Sequence, residues 1–299
     1  MANSDSQGWG LAAWYPTAFK WLVVATFALI ALGGSVRVMN AGLACPDWPL
    51  CFGDVIPDYH PQVYFEFIHR VLAGLVSIVF AGLMYLLLFR STAPSRLKRL
   101  AVFAVLLLLT QVVFGGLTVL MQLHSKVVAA HLGMGTAFFA ILMWMYLSLT
   151  GAKSKLPLPR WVFGLSVFIL AIIYGQILLG GLVASHYAAL VCTDFPTCHG
   201  QWFPTFRGII GLHVIHRLGA YFVFLATLVS CLVLRARVGG DVARVAGWIF
   251  LFLCVQVAVG ISNVLFYTPP LIAVIHLAVG TYILSLGVRQ LYKSWVSSE

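Results

Sequence analysis

The chain has 299 residues, 62% of them hydrophobic and only 9% charged. With a mean hydropathy of +0.99, that much apolar surface cannot be hidden inside a water-soluble domain of this size. The formal net charge of +10 gives no ground for a nucleic-acid partner, because the basic residues gather in particular loops as membrane topology requires, where acidic lipid or ligand groups would be attracted.

Segments long enough to cross a bilayer, about 20 residues each, run over 19–38, 63–89, 100–122, 127–149, 161–184, 209–234, 244–266 and 271–291. They predict an all-α integral membrane protein with eight transmembrane helices. The first segment is full length with no obvious small-residue cleavage site after it, and no arginine precedes Arg37, so neither a cleaved signal nor a transit peptide is expected.

The loop after the first segment reads GLACPDWPLCFG (42–53), with Cys45 and Cys51 flanking PDWPL. On the oxidising side of a membrane such a pair forms a disulfide. It would serve as a staple closing a short loop over a site, or as a redox pair exchanging with a periplasmic thiol partner. The second segment opens with EFIHR (66–70). Glu66 stands one turn before His69 on the same helix face. It is an acid–base or charge-stabilising group, or an acid favoured by the helix N-terminus. Arg70 either pairs with carboxylates of a ligand or reaches for the interface.

Arg90, Arg96, Lys98 and Arg99 follow the second segment, Lys153, Lys155 and Arg160 the fourth, and Arg235, Arg237 and Arg244 the sixth. The opposite loops hold Asp47, Asp54, Asp58 and Asp194. The basic loops and both termini are therefore expected in the cytoplasm and the cysteine loops outside, in a bacterial-type inner membrane.

The second half repeats the first. Residues 33–57 align with 180–204 without a gap, pairing Gly33 with Gly180, Cys45 with Cys192, Asp47 with Asp194 and Cys51 with Cys198. The same offset takes His69 to His216, Arg70 to Arg217 and Glu66 to His213. Farther on, Gln111 pairs with Gln256, Gly115 with Gly260, His131 with His276 and Gly135 with Gly280. The expected organisation is two tandem four-helix bundles, residues 1–152 and 153–299, related by a parallel pseudo-twofold along the membrane normal. Cys231 and Cys254 fall outside the repeat and read as apolar fillers.

Four of the nine histidines, His69, His131, His216 and His276, belong to the repeat and lie within spanning segments. A membrane-embedded imidazole is either a functional group or a hydrogen-bonding partner for a neighbouring helix. Two facing histidines in a four-helix bundle hold the two axial positions of a haem, whereas a zinc site wants more ligands. Gly135 and Gly280, four residues after their histidines, leave room for a flat macrocycle, or serve close helix packing. Arg217 and His213, like Arg70, are candidates for contacts with haem propionates. Only the first unit carries the carboxylate, Glu66, which suggests a unit that acts on a haem-like substrate and a second that keeps a permanent haem.

Taken together, GLACPDWPLCFG, the E-x-x-H-R of Glu66, His69 and Arg70, the matching His216 and Arg217, and His131 and His276 resemble the haem A synthase family over essentially the whole chain. The resemblance implies that His69 and His131 bind the substrate haem O, that Glu66 is the essential acid, and that His216 and His276 hold a haem b. It implies oxidation of the pyrrole-D ring methyl of haem O to a formyl group by successive hydroxylation and loss of water. The first cysteine pair is tied by the resemblance to activity or haem transfer, and haem O synthase and cytochrome oxidase assembly factors are the implied partners. The segment VMNA (38–41) departs from the family's usual pattern there, which touches only local loop geometry. Other classes account for parts of the pattern. A di-haem b-type membrane electron carrier explains the four histidines but not a carboxylate in one unit only. A quinone-linked thiol oxidase uses the cysteines alone, and a transporter uses only the parallel repeat.

Overall fold

The structure, a computed structural model, describes residues 8–151, 157–202 and 204–296. Lys153, Lys155 and the expected boundary between 152 and 153 lie outside the described residues. Among the described residues eight α-helices follow one another: α1 (Tyr15–Val38), α2 (Pro61–Phe89), α3 (Ser95–Leu120), α4 (Ser125–Leu149), α5 (Arg160–Ser185), α6 (Gly208–Arg237), α7 (Gly240–Leu265) and α8 (Pro270–Val296). All eight are long and apolar enough to cross a membrane. The shortest, with 24 residues, rises about 36 Å, more than a hydrocarbon core of about 30 Å. Among the described residues β-pairing is limited to two isolated bridges, Cys51 with Asp54 and Cys198 with Gln201. The chain is a multi-pass membrane protein.

Proline sets several helix starts, in the first turn of α1 and α2 and directly before α3 and α5, where its missing N–H costs nothing and its fixed φ suits the first turn. The basic loop after α2 is built into the fold: Lys98 Nζ donates to the Leu88 and Ser91 carbonyls at 3.1 and 2.8 Å, satisfying carbonyls that the end of α2 leaves without partners. Helix α8 runs beyond the expected end at 291. A hydropathy window stops at charge, but the helix continues because Lys293 is buried and donates to Asp241 Oδ2 of α7 at 2.6 Å.

By proximity the chain divides into two units, Met1–Leu123 with Met134–Ala152, and His124–Gly133 with Lys153–Glu299. In the first, α2 packs against α1 and α3. Tyr15, Phe19, Phe80, Met84, Leu142 and Met145 are fully buried there. The Tyr15 hydroxyl donates to the Leu83 carbonyl at 2.8 Å, and Phe80 meets Phe138 edge-on. In the second unit α5, α6, α7 and α8 form a closed ring of neighbours. The opening turns of α4 join that unit through Leu132, which packs on Gly181, and the Gly133 carbonyl, which accepts the Tyr174 hydroxyl at 2.9 Å. Ile78, Leu109 and Leu225 point outward, as side chains facing lipid do.

Candidate functional site

In the first unit the site is built around the loop between α1 and α2. Cys45 and Cys51 are bridged, and both are buried. Between them the Trp48–Pro49 peptide is cis. Phe52 and Gly53 are both left-handed, with φ of 57° and 77°, so their N–H groups converge. The Asp47 carboxylate accepts from both, Oδ1 from Phe52 at 2.7 Å and Oδ2 from Gly53 at 2.8 Å. The Gly53 and Phe52 hydrogen bonds and the nearby Arg70 charge hold its carboxyl below the usual carboxylate range. Trp48 anchors the loop to α3: a Cβ at Gly116 would lie 3.0 Å from the indole, so only glycine admits the ring there.

Arg70 fastens this loop from below. Its Nη1 donates to the Asp47 and Leu50 carbonyls at 2.7 and 2.5 Å, and its Nη2 to the Cys45 carbonyl at 3.2 Å. Nη2 also pairs with Glu66 Oε1 at 2.5 Å. Glu66 is 4% exposed, and its other oxygen accepts the Cys45 N–H at 2.9 Å. The carboxylate thus binds helix to loop, with both oxygens acting as acceptors and a guanidinium balancing its charge. One turn on, the His69 ring rests on Gly33 of α1, where a Cβ would come within 3.0 Å of Cε1.

The second unit reproduces the local geometry. Cys192 and Cys198 are bridged and buried, and the Phe195–Pro196 peptide is cis. Asp194 accepts from the Thr197 hydroxyl at 2.5 Å and the His199 and Gly200 N–H groups at 2.8 and 3.0 Å. Those bonds, Thr197 foremost, also hold its carboxyl well below the usual range. Arg217 donates to the Thr197 and Cys192 carbonyls at 2.7 and 2.8 Å and lies over the Phe195 ring. Where the first unit has Glu66, the buried His213 here bonds through Nδ1 to the Ala188 carbonyl at 2.8 Å.

The His216 ring rests on Gly180 and the His276 ring on Gly260, with a Cβ at either glycine coming within 3.1 and 3.0 Å of the respective Cε1. His216 and His276 are close enough to interact electrostatically. The His276 ring, packed on Gly260, also interacts with the Gln256 backbone. Gln176 Nε2 lies 3.0 Å from His216 Nδ1 and donates to the His216 carbonyl at 2.8 Å. Two imidazoles from α6 and α8 facing across one bundle are a donor set suited to the axial positions of an iron porphyrin.

The structure differs from the sequence reading at Gly135 and Gly280. The space beside them is taken by the amides of Gln111 and Gln256, within 2.9 and 3.2 Å of a Cβ built at each glycine. Glycine there seats an amide rather than a macrocycle, and the recurrence of both glutamines in the repeat was the available signal. The role of Gln176 left no such trace, since position 29, its repeat counterpart, is leucine. His131 lies on α4 within the stretch that packs with the second unit.

The profile of the cytochrome oxidase assembly protein family, COX15-CtaA, matches residues 19–63 and 58–288. A protein of Shewanella oneidensis named heme A synthase is 32% identical, over 93% of this chain and 96% of its own length. Proteins of the same name from Halalkalibacterium halodurans and Paracoccus denitrificans are 31% and 28% identical, covering 82% and 90% of this chain and 85% and 86% of their own lengths.

Proposed function

The chain belongs to the cytochrome oxidase assembly protein family, COX15-CtaA, and from that premise we propose that it is an oxidoreductase converting haem O to haem A. The observation that carries the reading is the asymmetry between the units. A buried carboxylate held by Arg70 and the Cys45 N–H stands one turn from His69, whereas the second unit places His213 there, bonded to a backbone carbonyl.

In this reading His216 and His276 hold a haem b, which supplies one-electron redox chemistry when bound. The substrate haem O is held through His69, and through His131, which the repeat pairs with His276. Conversion of the ring methyl to a formyl group is two successive two-electron oxidations that consume one water overall and release four protons and four electrons, the electrons passing to an external electron acceptor. Each withdraws electrons from carbon attached to a conjugated ring, so positive charge develops beside the substrate. Glu66, with Arg70 balancing its charge, presents a fixed, oriented dipole at that place, in a shielded site where preorganised dipoles act more strongly than in water. Its engagement with Arg70 favours this electrostatic role over proton donation, because both oxygens already accept.

The cysteine bridges act as staples, since a periplasmic thiol partner would have to reach sulfurs buried beneath the loop. Their loops face the outside of the bacterial inner membrane, with both termini and the basic loops in the cytoplasm. The reaction requires a haem O synthase to supply the substrate and an oxidase assembly route to take the product. The test is Glu66→Gln in cells that make haem O. Haem b and haem O remain bound and no haem A appears. Normal haem A formation would overturn the role of Glu66.

A further inference from the structure

We infer that an apolar groove between α2 and α3 receives the isoprenoid chain of the substrate, an assignment that rests on the haem O reading above. The groove holds about 500 Å³, and its walls include Ser77, Ala81, Met84 and Leu88 of α2 and Val105 and Leu109 of α3. Its lining is apolar almost throughout. The Ser77 hydroxyl is turned back onto its own helix, where it donates to the Ala73 carbonyl at 2.7 Å.

Residue size opens this space in the first unit and fills it in the second. The repeat sets Phe224 and Leu228 of α6 at the positions of Ser77 and Ala81, and Phe250 of α7 at that of Val105. Phe224 and Phe250 meet with ring centroids 5.3 Å apart. Two rings thus occupy the place between α6 and α7 that a hydroxymethyl and an isopropyl group leave open between α2 and α3. The two haems differ in the same respect: haem O carries a hydroxyethylfarnesyl chain where haem b has a vinyl group. The unit with the open groove is the one that carries Glu66, and the unit read as keeping haem b is the one whose rings fill the space.

The position of the groove also suits a chain leaving that site. Ser77, Ala81, Met84 and Leu88 follow Glu66 and Arg70 at helical spacing, so they continue the face of α2 on which the acid–arginine pair stands. Ser77 lies about 12 Å beyond His69 along the helix, and Ser77 to Leu88 spans about 16 Å more, which lets an isoprenoid chain lie along the helix. A membrane acyl chain, the competing occupant, makes no distinction between a haem with the chain and one without it.

The experiment is a Soret titration of purified full-length protein from cells lacking haem O, with haem O and haem b as the added ligands. Wild type is compared with Ala81→Leu and with Ser77→Phe/Val105→Phe, which give α2 and α3 the residues of the second unit. The spectrum of the resident haem and the elution volume report folding. Wild type binds haem O more tightly than haem b at the first unit. The double variant loses about tenfold in haem O affinity, the worth of about ten carbon contacts, and keeps its haem b affinity within about twofold. Ala81→Leu shows the same selective loss in smaller measure, and it decides the question if the double variant does not fold. Unchanged haem O affinity in the filled variants leaves the groove to lipid and overturns the assignment. An equal loss for both haems overturns it as well, because the substitutions then distort the site rather than exclude the chain. If wild type binds neither haem at the first unit, the haem O reading itself fails and the assignment with it.

Discussion

Replacing Arg70 by alanine separates the architecture of the cysteine loop from the chemistry of the site. The substitution removes donors to the Cys45, Asp47 and Leu50 carbonyls and the partner of Glu66. The pair is well shielded, with side-chain exposures of 15% for Arg70 and 5% for Glu66, so solvent cannot take over the orphaned charge. Breaking a buried pair from one side costs about 3–5 kcal/mol. At about 2–4 °C per kcal/mol for a chain of this class, the melting temperature in detergent falls by roughly 6–20 °C. The double variant Arg70→Ala/Glu66→Gln removes the stranded anion while keeping an acceptor for the Cys45 N–H, so it recovers several degrees of that loss. The assay is thermal unfolding of purified protein followed by loss of the monodisperse peak, with wild type and both variants measured together. A fall of less than about 2 °C for Arg70→Ala, or a double variant no more stable than the single one, would refute the reasoning that Glu66 depends on this guanidinium.

Gly33→Ala places a methyl 3.0 Å from His69 Cε1 and should displace that ring. Binding of added haem O weakens while the resident haem spectrum is unchanged, and Gly180→Ala does the reverse through His216. Gln176→Leu, which gives the second unit the residue of the first, should shift the midpoint potential of the resident haem without loss of haem, because the amide touching His216 Nδ1 is removed; an unchanged potential contradicts that contact. Asp47 is held below the usual carboxylate range by Gly53 and Phe52, so folding favours its ionised form. Its contribution is whole above about pH 4 and fades as the pH falls through the lower, folded value. In hydrogen exchange, peptides spanning 47–54 are less protected in Asp47→Asn than in wild type at pH 7, and the difference closes as the pH falls through the lowered, folded value; a difference independent of pH would contradict this.

Much of the fold could be read from the chain because a bilayer demands long apolar runs, and those runs are unbroken at all eight helices. The repeat also carried local structure faithfully: Asp47 and Asp194, the two cis peptides, and the left-handed pairs Phe52–Gly53 and His199–Gly200 recur at matching positions. Backbone demands of that kind are written in residue type. Side-chain destinations are not. Arg70 and Arg217 stand where a ligand contact is conceivable, and only the path of the loop reveals that carbonyls converge on them. The seating of Gln111 against Gly135 depends on how neighbouring helices rotate, which periodicity in a uniformly apolar segment does not encode. The extension of α8 rests on the partnership of Lys293 with Asp241, 52 residues away, beyond the reach of a hydropathy window.

The central claim, that the chain binds haem and processes it, is tested most directly by extracting the haems from purified protein made in cells that supply haem O and identifying them by mass. The account predicts haem b accompanied by haem O, a hydroxylated intermediate or haem A, with haem b lost and the first-unit species retained in His216→Ala. Haem b alone in two equivalents would make the chain a di-haem electron carrier, and protein free of any haem would contradict the roles given to His69, His131, His216 and His276.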